Sequence, residues 1–196
     1  MKIYDISQEV FSSEVYPGDP SPTKRTLASM NHGDNYNLTA FSMCAHNGTH
    51  VDAPVHFISG GDTVDKISLD KVVGKAYVAE CTGILGRDEA QDVIRRARAH
   101  DTECVKRILI KGARISDEAA KIFASSGVLL LGTEEQSVGD TGKPLAAHVS
   151  LLGTGCVILE GIRLNAVADG EYFLSAAPLN LGGSDGAPCR AVLIEF

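Results

Sequence analysis

Cationic clusters, long apolar runs and paired cysteines are all missing from this sequence. Lys and Arg number 18 against 25 Asp and Glu, a formal net charge of -7, and no run of basic residues interrupts that acidity. Nucleic acid and anionic membrane surfaces are therefore not expected partners, because both are recruited by basic patches. No uncharged apolar run approaches ~18 residues, so no membrane-spanning helix is expected. The segment Met1-Lys2-Ile3-Tyr4-Asp5 puts an acidic residue where a signal peptide places its apolar stretch, and a cytoplasmic protein is expected. The five cysteines, Cys44, Cys81, Cys104, Cys156 and Cys189, are odd in number and show no Cys-x-x-Cys spacing. That excludes a zinc ribbon or a redox pair and leaves reduced thiols that pack as small apolar groups.

No repeat, low-complexity tract or linker divides residues 1–196, which read as one domain. A chain of this length buries roughly 70% of the surface its unfolded form exposes, so it needs no metal to fold. Any metal site then asks for a functional explanation. Lys2 to Ser7 and Leu38 to Met43 have strand composition and flank a stiff loop, Tyr16-Pro17-Gly18-Asp19-Pro20-Ser21-Pro22. The middle alternates: a strand over Lys75 to Cys81, then a helix opened by Asp88 with Ala90, Val93, Ile94 and Ala97 on one face. A short strand at Arg107 to Ile110 precedes a helix that Ser116 caps, with Ile122 and Phe123 inward, ended by Gly127 before a strand at Val128 to Leu131. A helix over Leu145 to Leu152, a strand at Cys156 to Leu159, and strands near Tyr172 and over Ala191 to Phe196 complete the pattern. This is a mixed α/β (α+β) chain whose middle favours parallel pairing.

Six histidines spread evenly over 196 residues would put about 0.3 in an eleven-residue window, yet residues 46–56 hold three, with an aspartate among them. The segment reads His46-Asn47-Gly48-Thr49-His50-Val51-Asp52-Ala53-Pro54-Val55-His56-Phe57. A helix would align His46 with His50 but rotate Asp52 away, and Gly48 and Pro54 oppose one. In a bent, extended segment, positions 46, 50, 52 and 56 share parity and can project to one side. Two imidazoles and a carboxylate are suitable ligands for zinc or another divalent transition metal, with manganese equally acceptable to such donors. Asn47 and Gly48 stand where a zincin needs its glutamate and helix, so this is a different site. Three ligands leave positions open, and the remote candidates are His148, on the expected helix, and Glu160, at the end of an apolar strand. His32 and His100 read as ordinary surface or packing histidines. Cys44 shares the parity of His46 but reads as a packed thiol. The Gly153-Thr154-Gly155-Cys156 and Leu181 to Gly186 segments lack the features of nucleotide loops and read as turns.

The pattern His46-x-Gly48-Thr49-His50-x-Asp52-x-Pro54-x-His56-Phe57, with His148 and Glu160 twelve apart, resembles the cyclase-like metal-dependent hydrolases, which include bacterial kynurenine formamidase and isatin hydrolase. The likeness extends through Tyr16-Pro17-Gly18-Asp19, Gly132-Thr133-Glu134, Ser137 and the Pro178 to Leu193 segment. It implies a swivelling β/β/α fold, usually assembled as a homodimer or larger homo-oligomer. It further implies that His46, His50 and Asp52 bind a first metal, that Asp52 bridges with Glu160 to a second completed by His148, and that His56 shuttles protons; the donors themselves accept one ion or two. The implied reaction is arylformamidase-like: hydroxide generated from water by the metal attacks the amide carbonyl, and His56 protonates the departing nitrogen, taking N-formylkynurenine to kynurenine and formate. Kynurenine formamidases of this kind carry Trp before the Pro-Gly-Asp, packing on the substrate ring. Here Tyr16 holds that place, in a chain with no tryptophan, and is the implied substrate-binding residue. Opening of a cyclic amide such as isatin is the alternative reaction. A non-catalytic metal-binding module is the alternative of another class, which has no use for His56.

Overall fold

The computed structural model describes residues 1–139 and 144–196. Its centre is the expected alternation. Strand β5 (Val73–Leu85), helix α2 (Arg87–His100), β6 (Arg107–Ile115), α3 (Asp117–Ser125), β7 (Leu130–Thr133), α4 (Leu145–Leu152) and β8 (Val157–Glu160) follow one another in the chain. Strands β5 to β8 pair in parallel and in order. Parallel strands buried on both faces need apolar side chains in both directions, and these strands have them. Tyr77, Ala79, Ile108, Ile110, Leu131 and Ile158 face the three helices. Ala76, Val78, Leu109, Leu130, Val157 and Leu159 face a second core with Ile6, Ile162 and Leu164.

Local signals place the helices. The Glu89 carboxylate accepts from the Gly86 N–H at 3.0 Å at the start of α2, whose buried face is Ala90, Val93, Ile94 and Ala97. Ser116 Oγ accepts from the Ala119 N–H at 3.2 Å to cap α3. Gly127, at φ +77°, turns the chain after α3. Phe123 is buried as expected, whereas Ile122 is only partly covered. Strands β5 and β6 run past Cys81 and Ile110, where the sequence pattern ended them. Gly83 and Gly112, both with positive φ, carry the ladder through an irregularity instead of stopping it.

The remaining strands extend the sheet antiparallel. On one side come β9 (Gly170–Ser175), β11 (Val192–Glu195) and β1 (Lys2–Asp5); on the other, β4 (His50–Asp52) and β10 (Gly186–Pro188). A separate two-stranded ribbon joins β2 (Thr23–Ala28) to β3 (Leu38–Ser42). Strand β2 has no counterpart in the sequence pattern, nor has β10, while β4 keeps only the centre of the extended segment expected over residues 46–56. The last two have three residues each, too few to show an alternation. A short helix α1 (Leu69–Val72) leads into β5. No helix among the described residues is long and apolar enough to cross a membrane.

Candidate metal centre

Antiparallel pairing of β4 with β8 places His50 opposite Glu160 and Asp52 opposite Ile158. Because side chains alternate along a strand, His50, Asp52 and Glu160 share the face of Ile158, which looks toward the helices. Helix α4 lies on that face and buries Ala147, His148, Leu151 and Leu152, so the periodicity that packs the helix also delivers His148. His46 and His56 arrive differently from the sequence expectation. The chain from 46 to 56 is not one extended segment: only His50–Asp52 is strand, His46 sits in the preceding turn, and His56 ends a 3-10 turn, Pro54–His56. Gly48, at φ +67°, makes the first bend, and Pro54 opens the second. The four side chains still converge, through two turns that flank a short strand.

The donor atoms lie at coordination-polyhedron spacing. His46 Nδ1 and His50 Nε2 are 2.9 and 3.2 Å from Asp52 Oδ1, and His50 Nε2 is 3.4 Å from Glu160 Oε2. On the other oxygens, His148 Nε2 is 3.5 Å from Asp52 Oδ2 and 3.3 Å from Glu160 Oε1. Ligand bonds of about 2.0–2.2 Å around a tetrahedral ion give ligand-to-ligand edges of ~3.4 Å. The cluster therefore offers imidazole and carboxylate donors at the spacing a divalent cation needs. His50 Nε2 and Asp52 Oδ2 are buried with no hydrogen-bond partner among the described residues, a costly state that a cation would relieve. The opposite ring nitrogens are committed: His50 Nδ1 lies 3.0 Å from the Gly48 carbonyl oxygen and His148 Nδ1 2.7 Å from that of Pro144. Donating there, each imidazole presents Nε2 to the carboxylates. The Val138 N–H donates to Glu160 Oε1 at 2.7 Å and holds that carboxylate in place.

Electrostatics follow from two carboxylates caged by imidazoles. Burial disfavours charge on His50 and His148, but the adjacent carboxylates of Asp52 and Glu160 outweigh it and push both up to about 10. Burial likewise opposes ionisation of Asp52, and His148, His46 and His50 together hold its carboxyl well below the usual range. His46 is raised, against its burial, by Asp52. His56 goes the other way, because burial there is not overcome by its carboxylate neighbours.

The sequence expectations for His46, His50, Asp52, His56, His148 and Glu160 thus meet at one place, while His32 and His100 lie outside it: His32 is exposed and His100 packs on the Tyr77 ring. Beside the cluster opens a cavity of about 350 Å³, with Tyr16, Asp19, Cys44 and Phe57 on its wall. Cys44 contacts Asp19 at 3.9 Å and stays out of the donor cluster. Two contributors were given no role by the sequence, where Asp185 fell within the family-like Pro178 to Leu193 segment and a stretch read as a turn. Gln136 donates to the His46 and Gly48 carbonyl oxygens at 3.0 and 3.3 Å, and Asp185 reaches both His46 and His56. Nothing local gives either one a role; Asp185 arrives through the pairing of β10 with β4.

Known proteins share this architecture. The family model described as "Putative cyclase" matches residues 4–140. The kynurenine formamidase of Salinibacter ruber is 33% identical, covering 98% of this chain and 97% of its own. That of Geobacillus thermodenitrificans is 35% identical, covering 96% and 95%. A solved structure described as a potential metal-dependent hydrolase with cyclase activity superposes with a TM-score of 0.80 at 26% identity, over 98% of this chain and 96% of the other. Isatin hydrolase A from Labrenzia aggregata gives a TM-score of 0.82 at 21% identity, over 100% and 94%, a likeness of fold. By these matches, and by the mixed α+β fold they share, the chain belongs to the cyclase family.

Proposed function

We propose that this protein is a metal-dependent hydrolase of C–N amide bonds, acting on small aryl formamides of the N-formylkynurenine type. One observation carries the reading: five donor side chains converge at ligand spacing beside a cavity that also holds His56, a histidine the ligand set does not need. His46, His50, Asp52 and Glu160 would hold one cation, and Asp52, Glu160 and His148 a second. Zinc suits these donors, and manganese is the alternative. Bound there, a divalent ion polarises an amide carbonyl and lowers the pKa of water from about 15.7 to about 7.

The rest falls to side chains. Asp52 and Glu160 keep the imidazoles oriented and the site compact. His56 Nδ1 faces Asp185 at 3.3 Å, which leaves Nε2 for proton transfer to the departing nitrogen. Its lowered pKa keeps it neutral near pH 7, able first to accept a proton from water and then to deliver it. Phe57 packs on His148 with ring centroids 4.3 Å apart, and Tyr16 offers an aromatic face to an aryl substrate.

Opening of a cyclic amide such as isatin is the second reading, favoured by Tyr16 in the place where kynurenine formamidases carry Trp and by the fold shared with an isatin hydrolase. The test is turnover of N-formylkynurenine, formanilide and isatin by metal-loaded protein, beside His56→Ala. Formamide cleavage with the fastest kcat/KM supports the first reading, faster isatin opening the second, and no turnover of any of them overturns both. His56→Ala should keep its metal and lose about 10²- to 10⁴-fold in kcat. Parallel loss of metal would make His56 a ligand, a role its proximity to His46 and Asp52 would allow.

The same reading has the protein working in the cytoplasm as a homodimer or larger homo-oligomer, on a small molecule and with neither nucleic acid nor membrane. Supporting the assembly, the β2–β3 ribbon exposes Leu27, Leu38 and Phe41, an apolar surface that a second copy would cover. Light scattering of the purified protein checks it.

A further inference from the structure

We propose that Asp185 is the positioning residue of this centre: one carboxylate oxygen registers His56, the proton carrier, against His46, a metal-holding imidazole. The inference rests on the amide-hydrolase reading for what His56 does, and on geometry alone for what Asp185 holds.

Asp185 Oδ2 lies 3.0 Å from His46 Nε2 and 3.3 Å from His56 Nδ1. His46 turns its other nitrogen, Nδ1, to Asp52 Oδ1 at 2.9 Å. A proton on His46 Nε2, donated to Asp185, leaves the Nδ1 lone pair for a cation beside Asp52. That is the carboxylate–histidine–metal relay by which outer carboxylates fix a ligand's tautomer. A proton on His56 Nδ1, donated to the same oxygen, frees His56 Nε2. The two rings stack, centroids 4.1 Å apart and planes 23° from parallel, so one acceptor serves both from the same side.

The backbone holds Asp185 where this requires it. Its carbonyl oxygen accepts from the Ala53 N–H at 2.9 Å, that of Ser184 accepts from the Val64 N–H at 2.8 Å, and Gly186 pairs with Asp52 across β10 and β4. The backbone at Asp185 is thus anchored to the strand that carries Asp52, to Ala53 at the start of the Pro54–His56 turn, and to Val64 beyond it. The side chain is 49% exposed, so its replacement removes little packing.

The experiment compares wild type, Asp185→Asn and Asp185→Glu, each also with His56→Ala. Zinc affinity is read by competition with a chelator, zinc stoichiometry at saturation by elemental analysis, and kcat and KM with the substrate that the wild type turns over best. For Asp185→Asn we expect full stoichiometry, zinc affinity weaker by about 10- to 100-fold, and kcat at saturating zinc lower by a similar factor with KM within about twofold. Asp185→Glu, which keeps the carboxylate, should recover part of both. In the His56→Ala background the affinity loss should persist while the further loss of kcat shrinks below about threefold. Substoichiometric zinc at saturation would make Asp185 a ligand and overturn the proposal. So would unchanged affinity and kcat, a kcat loss that stays fully additive with His56→Ala, or no recovery by Asp185→Glu. A wild type that turns over none of the amides fails the functional reading, and the zinc arm then decides for Asp185 independently.

Discussion

Metal uptake by this centre should be strongly pH-dependent across the neutral range. His50 and His148, pushed up to about 10, are both protonated at pH 6 to 8 in the metal-free chain, and a cation must displace those protons to reach Nε2. Below the pKa of a displaced group, the apparent binding constant rises tenfold per pH unit for each proton released. Two protons give about 100-fold per unit, or about 10⁴ between pH 6 and 8. The histidines share Asp52 and Glu160, so the first proton is lost more readily and its loss tightens the hold on the second. If only one remains bound at the start of the window, the gain over two units is about 10². The assay is zinc affinity by chelator competition at pH 6, 7 and 8, with calorimetry in buffers of different ionisation enthalpy to count released protons. An affinity flat with pH, or fewer than about half a proton released at pH 7, would refute the reasoning, because the histidines would then be neutral before the metal arrives.

The same protonation has the opposite consequence for the metal-free fold. His50 and His148 titrate near 10 when folded and near ~6.5 when unfolded, so their contribution is complete below about pH 6.5 and is lost as pH rises toward 10. Calorimetry of chelated protein should show Tm falling by several degrees between pH 7 and 9, and a Tm that rises over this interval would contradict the assignment. Gly186→Ala tests the close approach of β10 to the site, since an added Cβ would meet His46 Cε1 at 2.7 Å and the Val51 carbonyl oxygen at 2.9 Å. About 1–3 kcal/mol of stability and at least tenfold in zinc affinity should be lost, measured by denaturant titration and chelator competition; native affinity would show that His46 tolerates displacement.

Much of this was legible in one dimension, for identifiable reasons. The alternation from β5 to β8 shows because each helix carries a periodic apolar face and each strand an apolar run. The clustering of His46, His50, Asp52 and His56 shows because the ligands are near neighbours in the chain. Their shared parity was the wrong mechanism for a correct convergence: two turns bring them together, and parity applies only from His50 to Asp52.

What the sequence by itself determined was the chemistry: acidic donors and imidazoles in excess at one locus, in a chain long enough to build a core without a structural metal. Tertiary structure decided the geometry. The three-residue strands β4 and β10 carry no readable period, and their pairing is set by partners far away in the chain. That pairing alone puts Glu160 opposite His50 and Asp185 within reach of both His46 and His56. Register between distant strands is a property of the packed sheet, settled by which side chains each face can bury, and no local stretch of residues contains it.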